Sequence, residues 1–239
     1  MVAATFFVAG IVKGVTGMGL PTMAMGVLGA FISPLAAANL LIIPSFVTNA
    51  WQLLAGPSFG LLIRRFWPMM LAIVAGTTLG SVWIAAGGTG LTTAALGIAL
   101  VLYSSYTLLA RQLSIGKQVE PWLSPFVGLI TGLVTGGTGV LVIPAVPYLQ
   151  ALRLGKDDLV QALGLSFTVS TIALAVGLGT HGALQAENLT LSALAIVPAL
   201  AGMWFGQVLR GRISPMLFRR IFLFSLLLLG LEMSLRPLL

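Results

Sequence analysis

The sequence predicts an all-α polytopic membrane protein built from two inverted repeats. Three observations carry that reading. Of 239 residues, 58% are hydrophobic and only 7% are charged, whereas a soluble domain is about a quarter charged. Apolar stretches follow one another with short polar breaks, and about 20 such residues suffice to cross about 30 Å of hydrocarbon. The phrase GIVKGVTG at 10–17 returns as GLVTGGTG at 132–139, with Gly10, Gly14, Thr16 and Gly17 matched by Gly132, Gly136, Thr138 and Gly139 at an offset of 122. A soluble core is excluded, because too little polar surface exists to cover it.

Six segments read as simple spans: 35–55, 68–87, 91–110, 158–180, 190–209 and 217–236. The two segments that hold the repeated phrase differ. Segments 2–32 and 122–152 each run 31 residues, which as a straight helix is about 47 Å, longer than the hydrocarbon is thick. Glycines break each near its middle, with Pro21 and Pro144 close by. The chain therefore has about eight hydrophobic segments.

Cation placement sets the topology. Loop 56–67 carries Arg64 and Arg65, and loop 111–121 carries Arg111 and Lys117, so both are expected in the cytoplasm. The uncharged turn GGTG at 87–90 falls outside. If 122–152 crossed once, Arg210, Arg212, Arg219 and Arg220 would lie outside, against the rule. If 122–152 dips in and returns, Arg153 and Lys156 are inside, His181 and Glu187 are outside, and the arginine cluster is inside. Each half is then a re-entrant broken segment followed by three spans. Three is odd, so the second half is inverted relative to the first, as in many transporters. The halves are 1–110 and 122–239, joined by the polar linker 111–121. The repeat extends further at the same offset: Val47, Thr48 and Asn49 face Val169, Ser170 and Thr171, and Gly60 faces Gly182.

The net charge of +7 sits at helix ends, not in a basic and aromatic patch, so no nucleic-acid partner is expected. Cysteine is absent, which excludes disulfides and thiolate chemistry. No metal-ligand or cofactor motif occurs, and the N-terminus MVAATFFVAGIVKG reads as mature fold rather than a cleaved leader.

Broken helices within the membrane expose unpaired backbone groups, tolerated only where protein or a cavity satisfies them. Helix N-termini suit anions. The tips at Thr16, Gly17, Met18 and Gly19 and at Gly136, Gly137, Thr138 and Gly139 are therefore expected to meet near the midplane and hold the substrate, with Thr16 and Thr138 giving hydroxyl donors. Lys13 is the only basic residue deep in a hydrophobic segment, and an intramembrane cation is functional by default. Its repeat partner is the uncharged Thr135. Asn49, Gln52, Ser170 and Thr171 are expected to line the cavity. His181 reads as a solvated loop residue. Glu120, Asp157, Asp158, Glu187 and Glu232 all fall outside the mid-membrane, which argues against a carboxylate proton relay.

In the openings GIVKGVTGMGLP and GLVTGGTGVLVIP, and in its duplicated eight-segment layout, the chain resembles the sulfite exporter TauE/SafE family of membrane permeases. Val15 and Met18 interrupt the first opening, which in the family is commonly richer in glycine. The resemblance implies a secondary transporter for small sulfur-containing anions such as sulfite or organosulfonates, in the bacterial inner membrane, with lipid and the anion as partners. A homodimer is one oligomeric arrangement. An anion channel is the alternative. An intramembrane enzyme is disfavoured, because no HExxH or GxSxG occurs.

Overall fold

The computed structural model describes residues 1–87, 89–109, 114–116 and 118–236. Among these residues every regular element is a helix. In chain order they are α1 (Val2–Thr16), α2 (Leu20–Phe31), α3 (Pro34–Leu54), α4 (Phe59–Ala85), α5 (Thr89–Leu109), α6 (Glu120–Thr138), α7 (Ala145–Ala151), α8 (Lys156–Thr180), α9 (Ala186–Leu194), α10 (Ile196–Arg210) and α11 (Pro215–Leu235). Helices α9 and α10 form one rod, broken at Ala195. Five stretches among the described residues are long and apolar enough to cross a membrane: Pro34–Leu54, Phe59–Ala85, Gly90–Leu109, Lys156–Thr180 and Ala186–Arg210. The chain is a polytopic helical membrane protein, and Trp83, Leu91, Leu194 and Trp204 stand exposed on its apolar flanks.

The two long segments fold back on themselves. Helix α1 ends at Gly17, whose φ of +79° lets its N–H reach the Lys13 carbonyl at 2.7 Å. Helix α6 ends the same way at Gly139, with φ of +73° and a 2.7 Å bond to the Thr135 carbonyl. A side chain at either position would strain the backbone. Helix α2 returns from the first turn and α7 from the second. The base of the second hairpin is closed by Ile115, whose N–H donates to the Ala151 carbonyl at 3.0 Å, and by Tyr148, whose hydroxyl donates to the Glu120 carbonyl at 3.3 Å.

Glycine stripes set how the hairpins dock. A Cβ on Gly10 would fall 2.3 Å from the Ala199 carbonyl oxygen, and one on Gly14 2.2 Å from that of Met203. Contact positions climb together, so α1 runs parallel to α10 with their backbones touching. Helix α6 docks on α4 in the same manner, Gly132 against Ile73 and Gly136 against Thr77. Small residues permit this close approach, which substitutes for a hydrophobic driving force inside lipid. Helices α3 and α8 cross antiparallel, Gly164 lying against Asn49 and Leu53. The two hairpins thus enter from opposite ends of the bundle. One end carries Arg64, Arg65, Arg153, Lys156 and Arg210. The other carries Ser33, His181 and Gln185.

Pro44 inside α3 cannot donate to the Leu40 carbonyl. Ser192 of α9 donates to that carbonyl at 2.7 Å, and its oxygen accepts from the Ile43 N–H at 3.2 Å. A helix defect thereby becomes an attachment point for α9.

Two expected boundaries change. The second simple span begins at Phe59 rather than 68, so Arg64 and Arg65 are helical instead of looped. Arg65 grips Glu120 with Nε at 2.5 Å and Nη2 at 2.7 Å, which lets α4 extend beyond its apolar stretch. Glu120 and Pro121 open α6 rather than closing the linker, with proline in the helix's first turn. Arg111, Lys117 and Gly88 lie outside the described residues.

Candidate functional site

A cavity of about 680 Å³ runs from exposed Pro57, Asp157 and Arg210, at the arginine-rich end, to buried Lys13. Four elements build it. Helix α1 supplies Lys13, Gly14 and Gly17 from its last turn. Helix α3 supplies Thr48, Trp51 and Gln52, α8 supplies Val160 and Gln161, and α10 supplies Met203 and Gln207. Two carboxamides shape the wall. Gln161 Nε2 donates to the Leu53 carbonyl at 2.7 Å and the Gly56 carbonyl at 2.9 Å, while its Oε1 accepts from the Ser58 N–H at 2.8 Å. Gln52 Nε2 donates to the Val160 carbonyl at 2.7 Å. These bonds join the α3–α4 turn to α8.

Lys13 is 4% exposed. Its ammonium donates to Thr48 Oγ1 at 3.1 Å and to Asn49 Oδ1. Both acceptors are neutral. Thr48 Oγ1 in turn donates to the Pro44 carbonyl at 2.8 Å. Among the described residues the ion pairs are Arg65 with Glu120 and Arg236 with Glu232, so Lys13 has no carboxylate partner. Behind it, Asn49 is fully buried and its Nδ2 has no acceptor. One cation therefore lines the cavity's inner wall, and an amide with an idle donor sits directly behind it, outside the lining. That is the donor set a small oxyanion needs.

The structure gathers some sequence-predicted residues and separates others. Lys13, Gly17 and Gln52 line the cavity, and Asn49 touches Lys13. Thr16 does not turn its hydroxyl proton to the cavity. Its Oγ1 bonds the carbonyls of Val12 at 2.8 Å and Met18 at 2.7 Å and accepts from the Met18 N–H at 3.3 Å. Thr138 repeats this around the other tip, donating to the Val134 carbonyl at 2.6 Å and accepting from the Val140 N–H at 3.2 Å. Met18 receives a 3.9 Å contact from the Tyr103 hydroxyl on its sulfur, and Gly19 packs toward Phe222.

The second tip does not share the first tip's cavity. Gly137 and Thr138 border a separate apolar space of about 610 Å³ beside Trp83, Leu91 and Val134. Gly136 is sealed against Thr77 and Gly80, and Gly139 lies against Met25. The reason is docking: α1 leans on α10 while α6 leans on α4, which carries the two tips past one another. Ser170 is fully buried with an unpartnered hydroxyl, and Thr171 donates to the Phe167 carbonyl at 2.7 Å.

The helix end in the cavity is the C-terminal turn of α1, not the N-terminal turn of α2. A C-terminus carries partial negative charge, so the positive charge in the cavity comes from the side chains of Lys13 and Arg210 rather than from a helix end. Met203, Gln207 and Arg210 were not singled out as site residues by sequence. The one available signal was Gln207, a polar residue inside an apolar run one position after Gly206.

Compared with known proteins, a family model described as Sulfite exporter TauE/SafE matches residues 2–233. No curated protein and no solved structure matches the chain.

Proposed function

The chain belongs to the sulfite exporter TauE/SafE family, and on that premise we propose a secondary transporter that binds sulfite or a short organosulfonate at Lys13. As a family member it is a multi-pass membrane transporter for sulfite-type anions. The observation that carries the finer reading is the buried ammonium held by neutral oxygens alone. A buried charge without a counter-charge is costly. A bound anion removes that cost and gains a charge-assisted hydrogen bond. The idle Nδ2 of Asn49 offers a second donor. Trp51, Val160 and Met203 leave apolar room beside the cation for a small organic group.

We read the bundle as two inverted repeats, 1–110 and 122–239, in the bacterial inner membrane with the arginine-rich end cytoplasmic. Matching details at one offset support this. The caps at Gly17 and Gly139 and the turn-stapling Thr16 and Thr138 stand 122 residues apart. So do Asn39 and Gln161. Asn39 Nδ2 donates to the Ala183 carbonyl at 3.1 Å and Oδ1 accepts from the Gln185 N–H at 3.1 Å. It holds the α8–α9 turn as Gln161 holds the α3–α4 turn.

The test is a thermal shift of purified protein with sulfite, sulfate, thiosulfate and short sulfonates, joined to sulfite counterflow in proteoliposomes. A specific anion at about 100 times its Kd adds about 2.7 kcal/mol of stability. The shift and the counterflow should both disappear in Lys13→Ala. An unchanged shift in that variant would sink the assignment, and flux without counterflow would mark a channel.

A further inference from the structure

The cavity at Lys13 is open to one end of the bundle, and each part of its lining has a counterpart 122 residues away. Lys13 corresponds to Thr135, Thr48 to Ser170, Gln161 to Asn39 and Met203 to Ser81. All four counterparts are buried; Thr135, Ser170 and Ser81 lie where α6, α8 and α4 meet, while Asn39 on α3 is spent holding the α8–α9 turn. Gly136 lies against the Thr77 carbonyl and the Ser81 N–H, and Gly177 lies against the Ser81 side chain. Ser170 stands two helical turns before Gly177, on the same face of α8.

That closed junction holds hydroxyls without partners. Ser170 Oγ and Thr77 Oγ1 are both fully buried and bond nothing among the described residues. A buried unpaired hydroxyl is costly when no other role engages it. Around Lys13 the counterpart of Ser170 is engaged, since Thr48 accepts from the ammonium, while Thr77 corresponds to Ala199 and has no hydroxyl counterpart. At this second junction Thr135 Oγ1 donates to the Val140 carbonyl at 3.2 Å and Ser81 Oγ to the Thr78 carbonyl at 2.8 Å, so the idle donors there are the hydroxyls of Ser170 and Thr77, with no charged side chain among the four.

We propose that the idle hydroxyls of Ser170 and Thr77, flanked by Thr135 and Ser81, form a second, uncharged station for the same small oxyanion, shut in this structure and reached from the opposite end. The inference rests on the assignment of Lys13 as the anion site. Alternating exposure of the two stations would pass the anion from an ammonium to neutral hydroxyls. The same anion then binds more weakly from the far end than from the arginine-rich end. Such asymmetry favours capture on the charged side and release on the other.

The absence of cysteine from the chain allows a direct test with single thiols. Ala173 is the counterpart of cavity-lining Trp51 and is 2% exposed. Full-length Ala173→Cys in nanodiscs is treated with a membrane-impermeant maleimide, without sulfite, which itself consumes the reagent. Equally buried Ala24→Cys serves as the closed control. We expect Ala173→Cys to react and Ala24→Cys to stay unmodified. If Ala173→Cys fails to fold, Leu174→Cys on the same helix replaces it. Sulfite KM is then measured in vesicles of each orientation. Ser170→Ala should raise the far-side KM about tenfold, as loss of a hydrogen bond to an anion does, and leave the near-side KM unchanged. An unreactive thiol in protein that still carries out Lys13-dependent counterflow overturns the second station, as does a far-side KM that Ser170→Ala does not move. Sulfite binding that survives Lys13→Ala would instead overturn the underlying assignment.

Discussion

Two asparagines on one helix should respond in opposite ways to the same substitution. Asn39 and Asn49 are both on α3 and both fully buried. Asn39 uses its whole amide: Nδ2 donates to the carbonyls of Leu35 at 3.0 Å and Ala183 at 3.1 Å, and Oδ1 accepts from Gln185. Asn39→Leu strands the buried Ala183 carbonyl and frees the α8–α9 turn, a loss of about 1–3 kcal/mol for the unpaired group. Asn49 uses only half of its amide. Asn49→Leu removes an acceptor from the Lys13 ammonium, costing about 1.5–3 kcal/mol, and deletes a buried donor with no partner, which returns about 1–3 kcal/mol. The two effects nearly cancel. Asn49→Leu should therefore melt close to wild type, while its sulfite affinity falls at least about tenfold, or about 1.4 kcal/mol. Asn39→Leu should melt lower and keep its affinity. Thermal unfolding with and without sulfite measures both quantities on one sample. Should Asn49→Leu lose stability as Asn39→Leu does while binding sulfite normally, Asn49 is a structural amide and the donor-set argument fails.

Other outcomes follow from specific contacts. Gly14→Ala pushes a methyl to within 2.2 Å of a backbone oxygen on α10, so it should lower stability by about 1–3 kcal/mol. Gly60→Ala meets nothing within 4 Å and should melt at or above wild type, helped by helix propensity of up to about 1 kcal/mol. Arg65→Ala leaves the largely buried Glu120 carboxylate unpaired, and with Arg65 itself about one-third exposed (32%) the loss should fall between surface and buried pairs, about 1–3 kcal/mol. Adding Glu120→Gln should recover part of that melting temperature. Thr138→Val removes a turn staple and should cost about 1 kcal/mol without changing the sulfite Kd.

Five of the six simple spans were legible because an apolar run long enough to cross a bilayer has few other uses, whereas 217–236 forms α11 but is not among the stretches apolar enough to cross. Their ends were less so. Arg64 and Arg65 look like a loop to any local hydropathy reading, because the partner that makes Arg65 tolerable in a helix is Glu120, 55 residues later. The return of segment 122–152 was legible from length and charge placement. Its closing bonds, Tyr148 to Glu120 and Ile115 to Ala151, join residues that no periodicity relates. The contact of α1 with α10 is still more remote. It brings Met203 and Gln207 beside Lys13 across about 190 residues of chain, and only the matched glycines 10, 14, 202 and 206 hint at it.

The repeated phrase itself divides into two kinds of position. Thr16 and Thr138 recur because each hydroxyl closes its own turn, and Gly17 and Gly139 recur because each must take positive φ. Each hydroxyl proton is spent on a backbone carbonyl of its own turn, not turned toward a substrate. A need shared by both hairpins is met by the same residue in both, so exact repetition follows the architecture of the turn. Position 13 against 135 breaks the pattern. No turn requires a lysine there, and burying one without a carboxylate opposes stability. The proposed function accounts for that cost at the one unmatched charge of the pair, since an anion bound there would offset it. The unpartnered amide of Asn49 beside it carries the same sign: under the proposed function one anion would give both groups the partner they lack in the empty site.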